Sequence, residues 1–288
     1  MNDALSGVAT RVQSHFDAIL APFGTTPVAE AMRYTTRGGK RVRATLVMES
    51  ARLHGVPANR AIWPATAIEA MHAYSLVHDD LPCMDDDDMR RGQPTVHVKW
   101  GEATAVLTGD ALQSLAFELV AHPDGAETPE ARADLTLTLA RAAGGQGMVL
   151  GQALDIAAES ATTPLTLDEI TALQAGKTGA LLEWSATAGA RMALADTAPL
   201  GTYAKALGLA FQIQDDIIDV TGDAAAVGKA VGKDEAAGKA TFVSLLGLDE
   251  AKRRAETLVE TACDALSLYG QDADTLRHLA RFVISRKA

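Results

Sequence analysis

The chain has 288 residues, a formal charge of −11, 48% hydrophobic and 22% charged residues, a balance usual for a water-soluble globular protein. The acidic excess argues against nucleic acid as the main partner, and no apolar run reaches the ~18 residues of a membrane span, so no stable membrane insertion is expected. Two cysteines, Cys83 and Cys263, are too few for a disulfide framework; with no signal-peptide pattern, the expected location is the cytoplasm. Abundant Ala and Leu with few aromatics favour an all-α fold.

Leu5, Val8, Val12, Phe16, Ile19 and Leu20 recur at helical spacing and predict a first amphipathic helix ending before Pro22. Pro27 can open a short second helix. Arg37-Gly-Gly-Lys-Arg-Val-Arg43 follows, a glycine pair and then Lys40, Arg41 and Arg43 at a helix start. Glycines let a backbone approach a ligand closely, and cations at a helix N-terminus oppose the macrodipole unless an anion binds there. The next helix is expected from about Ala61 to Asp80, interrupted near Pro64, with His72, Ser75 and Asp79 on one stripe. Pro82 should end it and leave Asp85 to Asp88 in a loop, followed by Arg90 and Arg91.

Thr95 to about Ala121 reads as one helix with Gly101 and Gly109 as close-packing sites. Glu130–Ala143 and Gln146–Ala157 read as further helices, the second carrying Gln152 and Asp155 on an otherwise apolar segment. Thr166 with Glu169 has the form of a capping box. Lys177 and Thr178 stand inside a helical run of small and apolar residues. Asp215, Asp216 and Asp219 share one face of a mostly buried helix, since consecutive positions turn by ~100°. Thr221 to Ala240 is glycine-rich, carries Lys229, Lys233 and Lys239, and reads as a cationic loop able to close over an anion. Two or three amphipathic helices complete the chain, and no repeat or linker divides it, giving one domain over 1–288.

The chemistry lies in charge that needs matching. The stretch His78–Gly92 holds six aspartates, Asp79, Asp80 and Asp85 to Asp88. An acidic run alone is ordinarily a solvated loop. A second aspartate cluster on a buried helix changes that reading, because buried carboxylates need partners. Divalent ions shared by the two clusters would satisfy both. Carboxylates combined with basic glycine-rich elements suit Mg²⁺ and phosphate-bearing ligands, with two phosphorylated ligands expected.

These motifs resemble those of the short-chain trans-prenyl diphosphate synthases, within them the bacterial farnesyl diphosphate synthases. The resemblance rests on Gly38-Gly-Lys-Arg-Val-Arg43, Asp79-Asp80 with Asp85 and then Arg90-Arg91-Gly92, Lys177-Thr178-Gly179, and Phe211-Gln-Ile-Gln-Asp-Asp-Ile-Ile-Asp219, in that order over nearly the whole chain. It implies a helical bundle around a deep central cleft, a homodimer, and Mg²⁺ at three ions per active site. It further implies condensation of isopentenyl diphosphate with an allylic diphosphate. Asp79, Asp85 and Asp215 are then the metal ligands, supported by Asp80, Asp216 and Asp219. Arg90, Lys177, Gln212, Lys229 and Lys239 hold the leaving diphosphate, and Thr178 and Gln212 stabilise the allylic cation. Lys40, Arg43, His72 and Arg91 hold isopentenyl diphosphate, while Tyr74, beside the small Ser75, sets chain length at a farnesyl product. Geranyl or geranylgeranyl diphosphate as product, and a terpene cyclase, are the alternatives. The one departure is Thr36-Arg37, a charge where an apolar residue is expected. Neither a Ser-His-Asp nor a Cys-His arrangement is present, so Cys83 is a loop residue of the motif.

Overall fold

The computed structural model describes residues 2–159, 163–221 and 240–285. They are almost wholly helical, and no described helix is long and apolar enough to cross a membrane. The chain divides into two compact units, Asn2–Thr136 with Ala188–Ala195, and Leu137–Thr187 with Asp196 onward.

The first unit opens with α1 (Asn2–Leu20), whose Val12, Phe16 and Leu20 are buried, as the spacing predicts. A short 3₁₀ turn follows, and Thr26 caps α2 (Pro27–Thr35) through the Ala29 amide. α3 (Val42–Leu53) starts from Arg41 in the left-handed region, φ 51°. Such a backbone costs ~1–2 kcal/mol for a residue bearing Cβ and persists only where side-chain bonds fix it. Here they do. The buried Arg41 guanidinium donates to Glu69 Oε2 (3.2 Å) and to the Thr36 carbonyl. The other Glu69 oxygen accepts from the Ala44 amide in the first turn of α3 (3.0 Å).

α4 (Ala58–Asp79) runs without the break expected at Pro64. That proline lies inside the helix, beyond its first turn, where it removes one backbone hydrogen bond, and it is buried. The helix stops at Asp79 with Asp80 as its C-cap, ahead of Pro82 as predicted. Beyond the acidic loop, Met89–Arg90 (β1) pairs antiparallel with Gln93–Pro94 (β2). The sequence reading contained no such hairpin. Arg91 (φ 53°) and Gly92 (φ 74°) form its two-residue turn, the backbone that matches strand twist. The single helix expected from Thr95 is two, α5 (Val96–Trp100) and α6 (Glu102–Ala121). Gly101, at φ 88°, separates them and has open space among the described residues where a Cβ would stand, whereas Gly109 is the close-packing site, with His78 in the space a Cβ would fill. Val77, Leu81, Val96, Ala105 and Ala31 form one core cluster here, with Tyr34 and Trp100 at its edge.

After α7 (Pro129–Ala143), the second unit contains α8 (Met148–Glu159) and α9 (Leu167–Gln174), the latter opened by the predicted Thr166/Glu169 capping box. A π-helical stretch, Ala175–Gly179, leads into α10 (Ala180–Met192). α11 (Ala198–Thr221) carries the second aspartate cluster. α12 (Phe242–Leu246), α13 (Leu248–Ala265) and α14 (Asp274–Ser285) follow. Ile170, Ile213, Ile217, Phe242, Ala251 and Ala255 pack together as its core.

The Arg41–Glu69 pair supports the entry to α3, so Glu69→Gln should lower stability by roughly 3–5 kcal/mol, the cost of leaving a buried charge uncompensated. Thermal unfolding of the two proteins checks this, and equal melting temperatures would show that the pair contributes little.

Candidate active site

In the first unit the glycine-rich loop, α4 and the hairpin bring Arg41, Arg43, His72, Arg90 and Arg91 into mutual electrostatic range. The Arg91 guanidinium packs on Gly39, its atoms 3.0–3.2 Å from where a Cβ would stand. Burial, then Arg41, pushes the Arg91 pKa down against the opposing pull of Glu69. Arg43 is likewise lowered, by burial first and Arg91 further, again with Glu69 opposing. Its Nε–H is buried and finds no acceptor among the described residues. His72 is driven well below the ordinary range, by burial and then by Arg43, Arg91, Arg90 and Arg41. This imidazole is therefore neutral at neutral pH. The cluster has more positive charge than Glu69 can balance.

Arg90 is matched. Its Nε donates to both oxygens of the buried Asp80 (2.8 and 2.9 Å) and its Nη2 to Oδ1 (2.5 Å), with Asp87 at 3.8 Å. Burial works against its charge, but the Asp80 bond and the nearby carboxylates outweigh this and raise its pKa. Asp80 is thus an arginine anchor at the end of α4. The Asp85 amide donates to the Asp79 carbonyl (2.8 Å), which folds the acidic loop so that the first and last aspartates of the motif lie together in the backbone. Lys40 is exposed on the glycine-rich loop. Tyr74 is buried, its ring edge-on to His78 at 5.2 Å, with Gln113 near its hydroxyl. Burial first, then Asp79, raises its pKa. Ser75 turns back onto the His72 carbonyl (2.9 Å).

In the second unit Lys177 lies within the π-helical stretch and donates to Asp155 Oδ2 (2.5 Å). Such stretches are rare and concentrate at functional sites. Gly151 makes this one possible: a Cβ there would meet the Lys177 amide nitrogen at 2.1 Å, so α8 touches the backbone that presents Lys177 and Thr178. Gln212 on α11 donates to Gln174 Oε1 (2.6 Å). Gln152 Nε2 is buried with no partner among the described residues. Asp215, Asp216 and Asp219 are partly exposed, and Asp216 Oδ2 accepts from the Phe242 amide at the start of α12 (2.7 Å). The expected cationic loop with Lys229, Lys233 and Lys239 lies outside the described residues.

Four partners were missed by reading the sequence: Arg41 and Glu69, Asp155 as the counter-ion of Lys177, and Gln174. Glu69 stands three residues before His72, on the same stripe of α4, and Asp155 was visible as a lone carboxylate on an apolar helix.

Among the described residues no three or more His, Cys, Asp or Glu side chains form a ready-made metal cage. An all-aspartate donor set suits a hard cation such as Mg²⁺, which is usually held by one or two carboxylates with the substrate's phosphates. The paired Asp79 and Asp85 fit that requirement.

The chain is similar to known proteins over nearly its whole length. The family model described as polyprenyl synthetase matches residues 25–273. The farnesyl diphosphate synthase of Escherichia coli K12 is 45% identical over 96% of this chain and 95% of its own length. That of Haemophilus influenzae is 43% identical over 100% and 99%. A crystal structure of an FPP/GFPP synthase from Zymomonas mobilis, without ligand, superposes with a TM-score of 0.88 at 43% identity, covering 99% of this chain and all of the other.

In the unfolded chain His72 gains a proton below about pH 6.5, whereas in the fold it stays neutral to lower pH. The unfolded state therefore binds more protons in that window, and stability falls as pH falls. In phosphate-free buffer, His72→Gln should flatten the acid side of the melting-temperature profile between about pH 7 and 5; parallel profiles would show that His72 is not held neutral by its cationic neighbours. With its family model matched over most of its length and near full-length relatives above 40% identical, this chain belongs to the polyprenyl synthetase family and is a prenyl transferase.

Proposed function

We propose that the protein condenses isopentenyl diphosphate with dimethylallyl or geranyl diphosphate and releases farnesyl diphosphate. The observation that carries this is the over-charged arginine cluster, in which the buried Nε–H of Arg43 has no acceptor among the described residues. A diphosphate would supply the missing negative charge. A terpene cyclase takes one diphosphate and has no use for this second cationic site.

Lys40, Arg43, His72 and Arg91 bind the diphosphate of the isopentenyl substrate. Neutral His72 can donate one N–H to a phosphate oxygen without adding to the repulsion among the arginines. Arg90 and Lys177, each oriented by an aspartate, grip the allylic diphosphate together with Gln212, Lys229 and Lys239. Asp79, Asp85 and Asp215 would hold Mg²⁺, three ions per site, with Asp219 in support, while Asp80 and Asp216 support them through Arg90 and the Phe242 amide. When bound, the metal neutralises the diphosphate and makes it a better leaving group.

The allylic carbon–oxygen bond breaks, and its electron pair leaves with the diphosphate. The hydroxyl of Thr178 and the amide oxygen of Gln212 face the resulting cation and stabilise it electrostatically. The isopentenyl double bond then attacks the allylic carbon, forming the new carbon–carbon bond. Loss of a proton to the departed diphosphate restores the double bond, so no protein nucleophile is required. Tyr74, buried and fixed by Gln113 and His78, forms the floor that stops growth after two additions.

The family model runs through both compact units, which supports a single polyprenyl synthase domain over 1–288. Val106 and Leu107 are exposed on α6 and support a homodimer. Cys83 and Cys263 are free thiols, in keeping with a cytoplasmic enzyme.

Asp79→Ala and Asp215→Ala should each lower turnover of labelled isopentenyl diphosphate, with geranyl diphosphate and Mg²⁺, by about 100-fold or more; full activity in either would remove that residue from the metal set. Tyr74→Ala should lengthen the product seen by chromatography beyond C15. An unchanged C15 product would rule out Tyr74 as the stop.

A further inference from the structure

A cavity of about 540 Å³ opens in the first unit beside the hairpin. Its walls include Arg37, Arg91 and Lys99, with Tyr34 between them and the Gly38–Gly39 backbone at one side. Among the described residues Asp80 is the one carboxylate lining it, and Arg90 already binds both its oxygens. In a chain of net charge −11, this chamber is cationic. Lys99 is held there by two aromatic faces, its ammonium 4.2 Å from the Tyr34 ring centroid and 4.6 Å from that of Trp100. The Tyr34 hydroxyl donates to the Pro94 carbonyl (2.8 Å), so the same ring fixes the hairpin arm that forms the wall. Arg91 belongs both to this chamber and to the inner cluster with Arg43 and His72.

We infer that the chamber is the entry for the non-allylic diphosphate, in which Arg37 and Lys99 capture the anion and pass it to Arg91. The inference rests on the proposed role of Arg43, His72 and Arg91 and extends it to two residues outside the shared motifs. Neither residue touches the reacting carbons, so their contribution is to encounter. Charge-lined clefts raise association rates by 10–10³-fold, and the gain fades as ionic strength rises.

The test compares the wild-type chain with Arg37→Glu, and with Arg37→Glu combined with Lys99→Gln. The first readout is kcat/KM for isopentenyl diphosphate with geranyl diphosphate and Mg²⁺, at ionic strengths of about 0.05 and 0.5 M. The second is calorimetric binding of inorganic pyrophosphate without metal. At low ionic strength kcat/KM should fall about tenfold, with kcat and the KM for geranyl diphosphate unchanged. The difference should close at high salt, and pyrophosphate should bind the variants more weakly at low salt. Equal kcat/KM and equal pyrophosphate binding would overturn the inference, as would a loss independent of salt or shared equally by both substrates. A wild-type chain that does not turn over isopentenyl diphosphate, yet binds pyrophosphate more tightly than the variants, would overturn the prenyl-transfer reading and leave anion capture standing.

Discussion

Glu69 is the negative charge on which the first unit's chemistry depends. One of its oxygens neutralises Arg41 and the other receives the Ala44 amide, so a single side chain fixes the backbone at φ 51° and the first turn of α3. Arg43 sits in that same turn, and its position follows from this anchoring. Glu69 cannot neutralise Arg43 and Arg91 as well, so the fold itself leaves an electrostatic deficit there. Guanidinium groups remain charged at any accessible pH, so the buried Nε–H of Arg43 in particular favours a bound anion.

In the second unit the charges are used differently. Asp155 meets Lys177, and Asp216 meets the amide that starts α12. Each contact fixes a backbone feature as well as a charge: the π-helical stretch in one case and the return of the chain at Phe242 in the other. The close approach at Gly151 makes the stretch sensitive to small changes on α8, because a methyl group there would overlap the Lys177 backbone. Lys177 and Thr178 are therefore positioned by packing between helices and do not depend on the local helix alone.

Helix existence was legible from periodicity wherever an apolar stripe was long, as in α1 and α11, and the capping box at Thr166 was read correctly because both its partners are local. The breaks were harder. Gly101 ends α5 through a backbone angle, and a glycine within a helical pattern signals close packing or interruption equally well. Pro64 did not interrupt α4: it removes one backbone hydrogen bond of a helix that is buried along much of its length. The Arg91–Gly92 turn went unread because arginine is an uncommon occupant of a left-handed turn position. Motif residues were visible, but their counter-ions were not, as the Arg41–Glu69 and Asp155–Lys177 pairs join residues more than twenty positions apart. Spacing along a helix reveals a face; it does not reveal what that face meets.

The Asp80–Arg90 pair shows that a carboxylate of an acidic motif can be spent on a partner within the fold. Asp80 caps α4, where the helix dipole opposes an anion, and it is buried, so it requires a cation from the protein itself. Arg90 meets this need with Nε and Nη2 alone. Guanidinium has five N–H donors, and those of Nη1 take no part in the Asp80 contact. The aspartate therefore orients Arg90 while leaving Nη1 out of that contact. An arginine held this way loses less side-chain freedom on binding than a mobile one would. The anchoring thus lowers the entropic cost of any contact that Arg90 makes with an anion.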